Sequence, residues 1–346
     1  MLEHRPIRNC ILIPYKDSVE QLRDCLQMLM PQLSIETAII LVDDGTSMDQ
    51  SGLKRYFNNT KITVMRNHVS MGPAFARNKG IEWCREHGVE IVLLIDSDCV
   101  AEKTWVQEHL RLHEKYDDVV CIGGSIKGIG HTIWAYIDNI ASWFTSIPGA
   151  PQRVVGKIYH IPTTNMSFKL PRLPMKGKLF NSALRTGEDV EFVHRILDAG
   201  CKIIFSPEPL VYHMDRNRLT DFLKHQYRWG LHTYSLRFGR KQWGKIKRTL
   251  FALGFFFMIP IFSVLSSALN IYPYLTISIK YLLYLPPLLL LYMYKGIGVF
   301  AGTMNPSLAL YKHGLGNSPN EVRCDGIRKG SRQELPTSYS CSDEET

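Results

Sequence analysis

"VLLIDSDCV" occupies residues 92–100 of the chain. An apolar run ends abruptly in Asp96-Ser97-Asp98, as in a strand buried on both faces and closed by polar residues. Two carboxylates one residue apart thus stand at the carboxyl end of a core strand, where something must offset their repulsion. A strand-ending turn is one explanation, since Asp and Ser are common turn formers. A cation, with a phosphate-bearing ligand beyond it, is the other. The triplet alone leaves both open.

Outward from this stretch, strand-like and helical patterns alternate between residues 9 and 125. "CILIPY" ends at Pro14 in its fifth position, and Leu22, Leu26 and Leu29 share a helical face after Ser18. Then come "AIILVDDG", "KITVMRN", a helix over about 73–87, "VEIVLLIDSD", a helix over about 103–115, and "DVVCIGGSI". This alternation predicts an α/β fold: a doubly wound, mostly parallel sheet with helices on both faces. Ligands of such sheets gather outside the carboxyl ends of the strands, where "VDDGT" and "DSD" both fall. No Gly-x-Gly-x-x-Gly follows the first strand, which disfavours a nicotinamide dehydrogenase, and a Gly-x-x-x-x-Gly-Lys-Ser/Thr loop is also missing.

The 346 residues carry a formal charge of +9, which calls for an anionic partner. Nothing matches a nucleic-acid module, so no nucleic-acid partner is expected. The eight cysteines are scattered without a Cys-x-x-Cys pair and read as reduced thiols facing the cytosol rather than disulfides or a zinc site. "MLEHRPIRNC" has no apolar stretch of signal-peptide length, so the leading domain is expected to stay in the cytosol.

"HTIWAYIDNIASWFTSI" (131–147) fits either a core-packing helix or an amphipathic segment with Trp134, Trp143 and Phe144 toward lipid. "LRTGEDVEFVHRILDAG" (184–200) predicts a helix, with Thr186 as N-cap, Asp189 reaching back, and Gly200 at the C-terminal cap. Composition changes near residue 249. Residues 249–269 are 21 residues without a charge, and 275–294 are 20 with one lysine and a Pro286-Pro287 kink. Both are long enough to cross a bilayer. Arg237, Arg240, Lys241, Lys245, Lys247 and Arg248 precede the first, which makes that flank cytoplasmic by the positive-inside rule. The expected organisation is a catalytic domain over 1–240, two spans over 241–295, a re-entrant or interfacial segment over 296–312, and a polar, disordered tail over 313–346. A cut near Arg248 is expected to give a domain without integral spans.

Read in order, "CILIPYKDS", "LVDDGTS", "NHVSMGPAFARNKG", "LLIDSDC", "IPTTNMSF", "TGEDVEF" and "HQYRWG" resemble the successive motifs of the family-2 glycosyltransferases, which have the GT-A fold and use nucleotide-activated sugars. The resemblance covers about residues 8–240, and the two spans resemble the membrane-attached branch. It implies that Pro14, Tyr15 and Asp44 line a nucleoside pocket and that Arg77 contacts base or phosphate. Asp98 becomes the ligand of a Mn2+ or Mg2+ ion bridging the donor's diphosphate, and Asp96 reaches the ribose or the metal's water shell. His213 of "PLVYHMD" is a further candidate metal ligand. Asp189 is the implied general base, with Glu188 shaping the acceptor site. In "HQYRWG", Gln226 belongs to the motif, Arg228 is expected at the leaving diphosphate, and Trp229 is expected to stack on an acceptor sugar or lipid. His225 stands where the related motif has glutamine.

The expected protein is an integral, multi-pass enzyme of the plasma or inner membrane with a cytoplasmic catalytic domain. It is expected to move one sugar, with inversion, from a nucleotide sugar to a lipid-linked or glycan acceptor, in contact with membrane lipids. The alternatives are a processive polysaccharide synthase, a polyprenyl-phosphate glycosyltransferase, and an inactive scaffold that binds nucleotide sugars.

Overall fold

The computed structural model describes residues 6–157, 161–184, 186–237 and 243–310. Arg240 and Lys241 of the basic flank, and the tail from 313, lie outside the described residues. The chain runs β1 (Asn9–Tyr15), α1 (Val19–Leu29), β2 (Thr37–Asp43), α2 (Lys54–Phe57), β3 (Ile62–Arg66), α3 (Pro73–Glu86), β4 (Ile91–Ile95), β5 (Cys99–Ala101), α4 (Trp105–Lys115) and β6 (Val119–Gly128). It continues through α5 (Ile133–Trp143), β7 (Arg153–Val154), β8 (Asn165–Lys169), α6 (Glu188–Asp198), β9 (Lys202–His213), α7 (Leu219–Arg237), α8 (Lys245–Leu275) and α9 (Leu285–Met304).

The strands form one sheet in the order β3-β2-β1-β4-β8-β6-β9-β5, with β7 added against β9. Side chains alternate across a strand, so β1 feeds two cores. Cys10 and Leu12 pack with Ile81 of α3 and Phe192 of α6, whereas Ile11 and Ile13 pack with Leu26 of α1 and Trp105 of α4. Helices on both faces are thus as expected. Parallel pairing predominates along the ladders, joining β3 to β2, β2 to β1, β1 to β4 and β6 to β9, while β4–β8, β6–β8, β5–β9 and β7–β9 are antiparallel, so the sheet is mixed. The reason lies beyond residue 130, where β8 inserts between β4 and β6 and runs against both.

α5 is a core helix. Ile137 and Ile140 share a cluster with Phe222 of α7, Ile271 of α8 and Leu288 and Leu291 of α9, and Trp134 and Phe144 pack against it. The lipid-facing reading of Trp134, Trp143 and Phe144 is therefore not what the fold uses. Residues 296–304, expected as a separate segment, continue α9. Pro286 and Pro287 fall in its first turn, where proline lacks no needed hydrogen bond, so they start this helix rather than kink it. Lys245–Leu275 and Ile279–Met304 are both long and apolar enough to cross a membrane. They leave an apolar belt outside, with Phe257 and Leu283 each 78% exposed.

Candidate active site

A cavity of about 760 Å³ opens beyond the carboxyl ends of β1, β2 and β4, the place that parallel strands reserve for ligands. Pro14, Tyr15, Asp44, Arg77, Asp96, Asp98, Glu188, Asp189, His213, Gln226 and Trp229 all line it. Arg228 does not. It is exposed, because one face of α7 turns His225, Gln226, Trp229 and Thr233 inward and carries Arg228 round to the other side. The expected role of Arg228 at the leaving group is corrected accordingly.

Asp44 is an organiser. Its carboxylate accepts from Asn67 Nδ2 at 2.9 Å, Met71 N at 2.9 Å, Ser70 Oγ at 2.8 Å and Gly72 N at 2.8 Å. That uses the roughly four acceptor positions a carboxylate has, so Asp44 holds the loop 67–72 in place at the cavity wall. Tyr15, 3% exposed, gives its hydroxyl proton to Gln50 Oε1 at 2.9 Å.

Arg77 links the two halves of the site. Its Nη2 donates to Asp96 Oδ1 at 2.7 Å and its Nη1 to Glu188 Oε1 at 2.8 Å, with the guanidinium buried. Instead of reaching out to a base or phosphate, it clamps the strand-end carboxylate to the Glu188–Asp189 pair. Asp96 is held from the other side by Thr164 Oγ1 at 2.8 Å. The antiparallel pairing of Ile95 with Asn165 puts Thr164 there. Thr164 was visible only as part of "IPTTNMSF", without a role.

Asp98 faces His213 across the pairing of Cys99 with His213. Asp98 Oδ2 and His213 Nε2 are 3.7 Å apart. Two ligands bound at about 2.1 Å to one ion stand roughly 3–4 Å apart, so this spacing suits a shared divalent cation. His213 Nδ1 meets Asp215 Oδ1 at 2.9 Å, the orienting carboxylate that metal-binding histidines use. Trp143 Nε1 donates to the same Asp215 oxygen at 3.1 Å. Burial pushes the His213 imidazole down, but Asp98 and the hydrogen bond to Asp215 outweigh it and hold the ring up at about 9. Cys99 lies in the same cluster. Its thiol is pushed well up by burial and then by Asp98, so it stays protonated and is a poor ligand for a hard ion. Asp98 and His213 fit a divalent metal; Asp215 was missed in the sequence because its role exists only through His213.

Glu188 and Asp189 open α6, but not through the expected cap. The N-cap is Gly187, at φ 80° in the left-handed region, where glycine is unstrained. A Cβ there would sit 2.6 Å from Leu236 Cδ1. Thr186 Oγ1 is buried and has no hydrogen-bond partner among the described residues. It faces the cavity because the glycine breaks the capping geometry. Both carboxyls are pushed above the ordinary carboxylate range, first by burial; Asp189's charge adds to the effect on Glu188, while Arg77 opposes it.

The cavity also reaches past the sheet to Phe262, Ser266 and Asn270 of α8 and Tyr292 and Lys295 of α9. None of these five had been singled out, since an apolar run reads as an anchor.

Residues 10–170 match the family described as "Glycosyl transferase family 2". That segment, a little under half of the chain, is similar to the family-2 glycosyltransferases, and the mixed sheet with helices on both faces has the GT-A architecture. Among its relatives is the pre-mycofactocin glycosyltransferase of Mycobacterium tuberculosis, 24% identical over 223 residues, 64% of this chain and 45% of that protein. Glycosyltransferase GlyG of Streptococcus pneumoniae is 24% identical over 224 residues, 60% of this chain and 70% of that protein. The chain thus spans less than half of the first of these relatives. By fold it resembles the mannosyltransferase PcManGT of Pyrobaculum calidifontis, solved with GDP-Man and Mn2+, with a TM-score of 0.53, 13% identity, and coverage of 85% of this chain and 87% of that one.

Proposed function

We propose that this protein is a membrane-attached, inverting glycosyltransferase that moves one sugar from a nucleotide-sugar donor to an acceptor hydroxyl. The observation that carries this reading is the meeting of the Asp98–His213 pair and the Glu188–Asp189 pair in one cavity, where the buried Arg77 ties Glu188 to Asp96, two residues from Asp98. Asp98 and His213 would hold a divalent ion, which supplies charge neutralisation for a departing diphosphate. A donor set of carboxylate oxygen and imidazole nitrogen favours Mn2+ over Mg2+, and the neighbour solved with GDP-Man and Mn2+ supports that choice.

On the acceptor side, Asp189 takes the proton of the attacking hydroxyl. The hydroxyl oxygen bonds to the anomeric carbon while the bond to the diphosphate breaks, and the electron pair leaves with the nucleoside diphosphate. A single base and in-line attack give inversion, because no second carboxylate is needed for a covalent intermediate. The apolar belt of α8 and α9 supports attachment to a bilayer, since exposed apolar surface of that extent seeks lipid.

The test is purified full-length protein in detergent with a panel of nucleotide sugars and Mn2+, following release of nucleoside diphosphate. One donor should be consumed, and Asp98→Asn should cut its turnover by orders of magnitude. Undiminished turnover in excess chelator would overturn the metal assignment. No consumption of any sugar nucleotide, with no binding of nucleoside diphosphates, would overturn the reading as a whole.

A further inference from the structure

Within residues 281–304 the only charged side chain is Lys295. An ionisable group in an apolar helix of that length is costly and points to a ligand or pathway. Here it lines the same cavity as Asp98 and Asp189. Lys295 Nζ lies 5.8 Å from the centre of the Trp229 ring and 5.5 Å from that of Tyr292, and Arg216 lines the cavity as well. Asp138 accepts from Arg216 Nη1 at 2.9 Å, which fixes the guanidinium in place. The neighbouring His225 imidazole is pushed well down, first by burial and then by the charges of Arg216 and Lys295. Lys295 thus brings a cationic group to this corner of the cavity, and Arg216, anchored on Asp138, places guanidinium donors in the same cavity.

Two further features are independent of that charge. Gln226 and Asn270, 3% and 5% exposed, both face the cavity. Gln226 Oε1 and Asn270 Oδ1 are buried with no hydrogen-bond partner among the described residues. Buried carbonyls without partners are expensive and call for a ligand bearing hydroxyl groups. Finally, Phe262, Ser266 and Asn270 succeed one another every four residues, so they form one face of α8. That face leads from the cavity along the apolar helix.

Resting on the glycosyl-transfer reading above, we propose that the acceptor is a sugar joined through phosphate to a lipid. Lys295 and Arg216 hold the phosphate, Gln226 and Asn270 accept from ring hydroxyls, and the lipid chain follows the α8 face past Phe262. A free phosphate head would need no base, being already an anionic nucleophile. The Glu188–Asp189 pair fits a hydroxyl, so the sugar and the phosphate have separate places.

The experiment measures binding to full-length protein in detergent by titration calorimetry. Farnesyl-phosphoryl-glucose should bind at least tenfold more tightly than farnesyl phosphate, octyl glucoside or glucose 1-phosphate, which lack the sugar, the phosphate and the lipid respectively. Lys295→Met should weaken it at least tenfold and Lys295→Arg much less. Gln226→Leu should weaken it severalfold while leaving farnesyl phosphate unaffected. Equal affinity for glucose 1-phosphate would remove the lipid from the proposal, equal affinity for octyl glucoside would remove the phosphate, and unchanged affinity in Lys295→Met and Gln226→Leu would overturn it. GDP and UDP binding with Mn2+, measured on the same preparations, tests the donor reading separately. Its retention in both variants also reports that they fold.

Discussion

At the scale of single residues, Arg77 is the most consequential side chain in the site. It is buried between Asp96 and Glu188, and removing one member of a buried ionic network leaves uncompensated charge, typically at a cost of about 3–5 kcal/mol. Arg77→Met should therefore lower the melting temperature sharply and abolish transfer, and thermal denaturation in detergent checks this. The acidic pair predicts a pH dependence. Both carboxyls are raised, first by burial. A raised carboxyl is protonated in the fold at a pH where it would be ionised in the unfolded chain, so these groups add stability at low pH and lose it as pH climbs through the raised range. A base must be ionised, so kcat/KM should fall on acidification well above the ordinary carboxylate value of about 4. Glu188→Gln removes a neighbouring negative charge and frees Arg77 to favour the Asp189 carboxylate. It should move that acid limb to lower pH, as a pH–rate profile will show. An unmoved limb would mean that the pair does not set it.

At the scale of elements, the start of α6 and the seam between α7 and α9 govern the site. Thr186 caps nothing among the described residues, so Thr186→Ala should change stability by less than about 0.5 kcal/mol, short of the 1 kcal/mol or so that a lost cap costs. Asp189→Asn should leave melting nearly untouched and slow transfer by roughly 100-fold or more. Comparing the two in melting and rate separates a base from a cap. The α7–α9 seam is built on glycines. A Cβ on Gly230 would come within 2.2 Å of Lys295 O, and one on Gly298 within 2.3 Å of Tyr227 O. Backbones this close admit no side chain, which explains the glycine that ends "HQYRWG" and fixes Trp229 relative to Lys295. Gly298→Ala should force the helices apart at a cost of about 1–3 kcal/mol. Transfer should suffer before GDP or UDP binding does, since the proposed donor side rests on β1, β2 and β4.

At the scale of the whole molecule, the apolar helices and the sheet domain share a core. Ile137, Ile140 and Phe222 pack with Ile271, Leu288 and Leu291, and Tyr274 gives its hydroxyl proton to Asn139 Oδ1 at 2.8 Å. Cutting the chain near Arg248 uncovers that cluster and removes one wall of the cavity. The truncated protein should aggregate without detergent and should not transfer sugar, as size-exclusion chromatography and the donor assay will report. A monodisperse, active truncation would show that α8 and α9 are only an anchor.

Much of this was legible in one dimension. Apolar runs closed by Pro14, Asp43 and Asp96 placed the strands, because the alternation of strand and helix is a local property of hydrophobic patterning. The ends of those strands named Pro14, Tyr15, Asp44, Asp96 and Asp98, which line the cavity. The uncharged stretches after 249 marked the long helices for the same local reason. Contacts across the fold were not legible. The antiparallel insertion of β8, which delivers Thr164 to Asp96, depends on strand order, which residue pattern does not encode. The Arg77 bridge spans 19 residues to Asp96 and 111 to Glu188. Its two partners are defined only once α3 lies between the ends of β4 and α6. Lys295 and Asn270 were lost within their apolar surroundings, and Arg228 was gained wrongly from a motif that does not say which way a helix turns. Sequence determined what each segment is, through short-range periodicity and turn chemistry. Tertiary packing alone decided which side chains share a cavity, because burial and distance come from elements folded together from far apart in the chain.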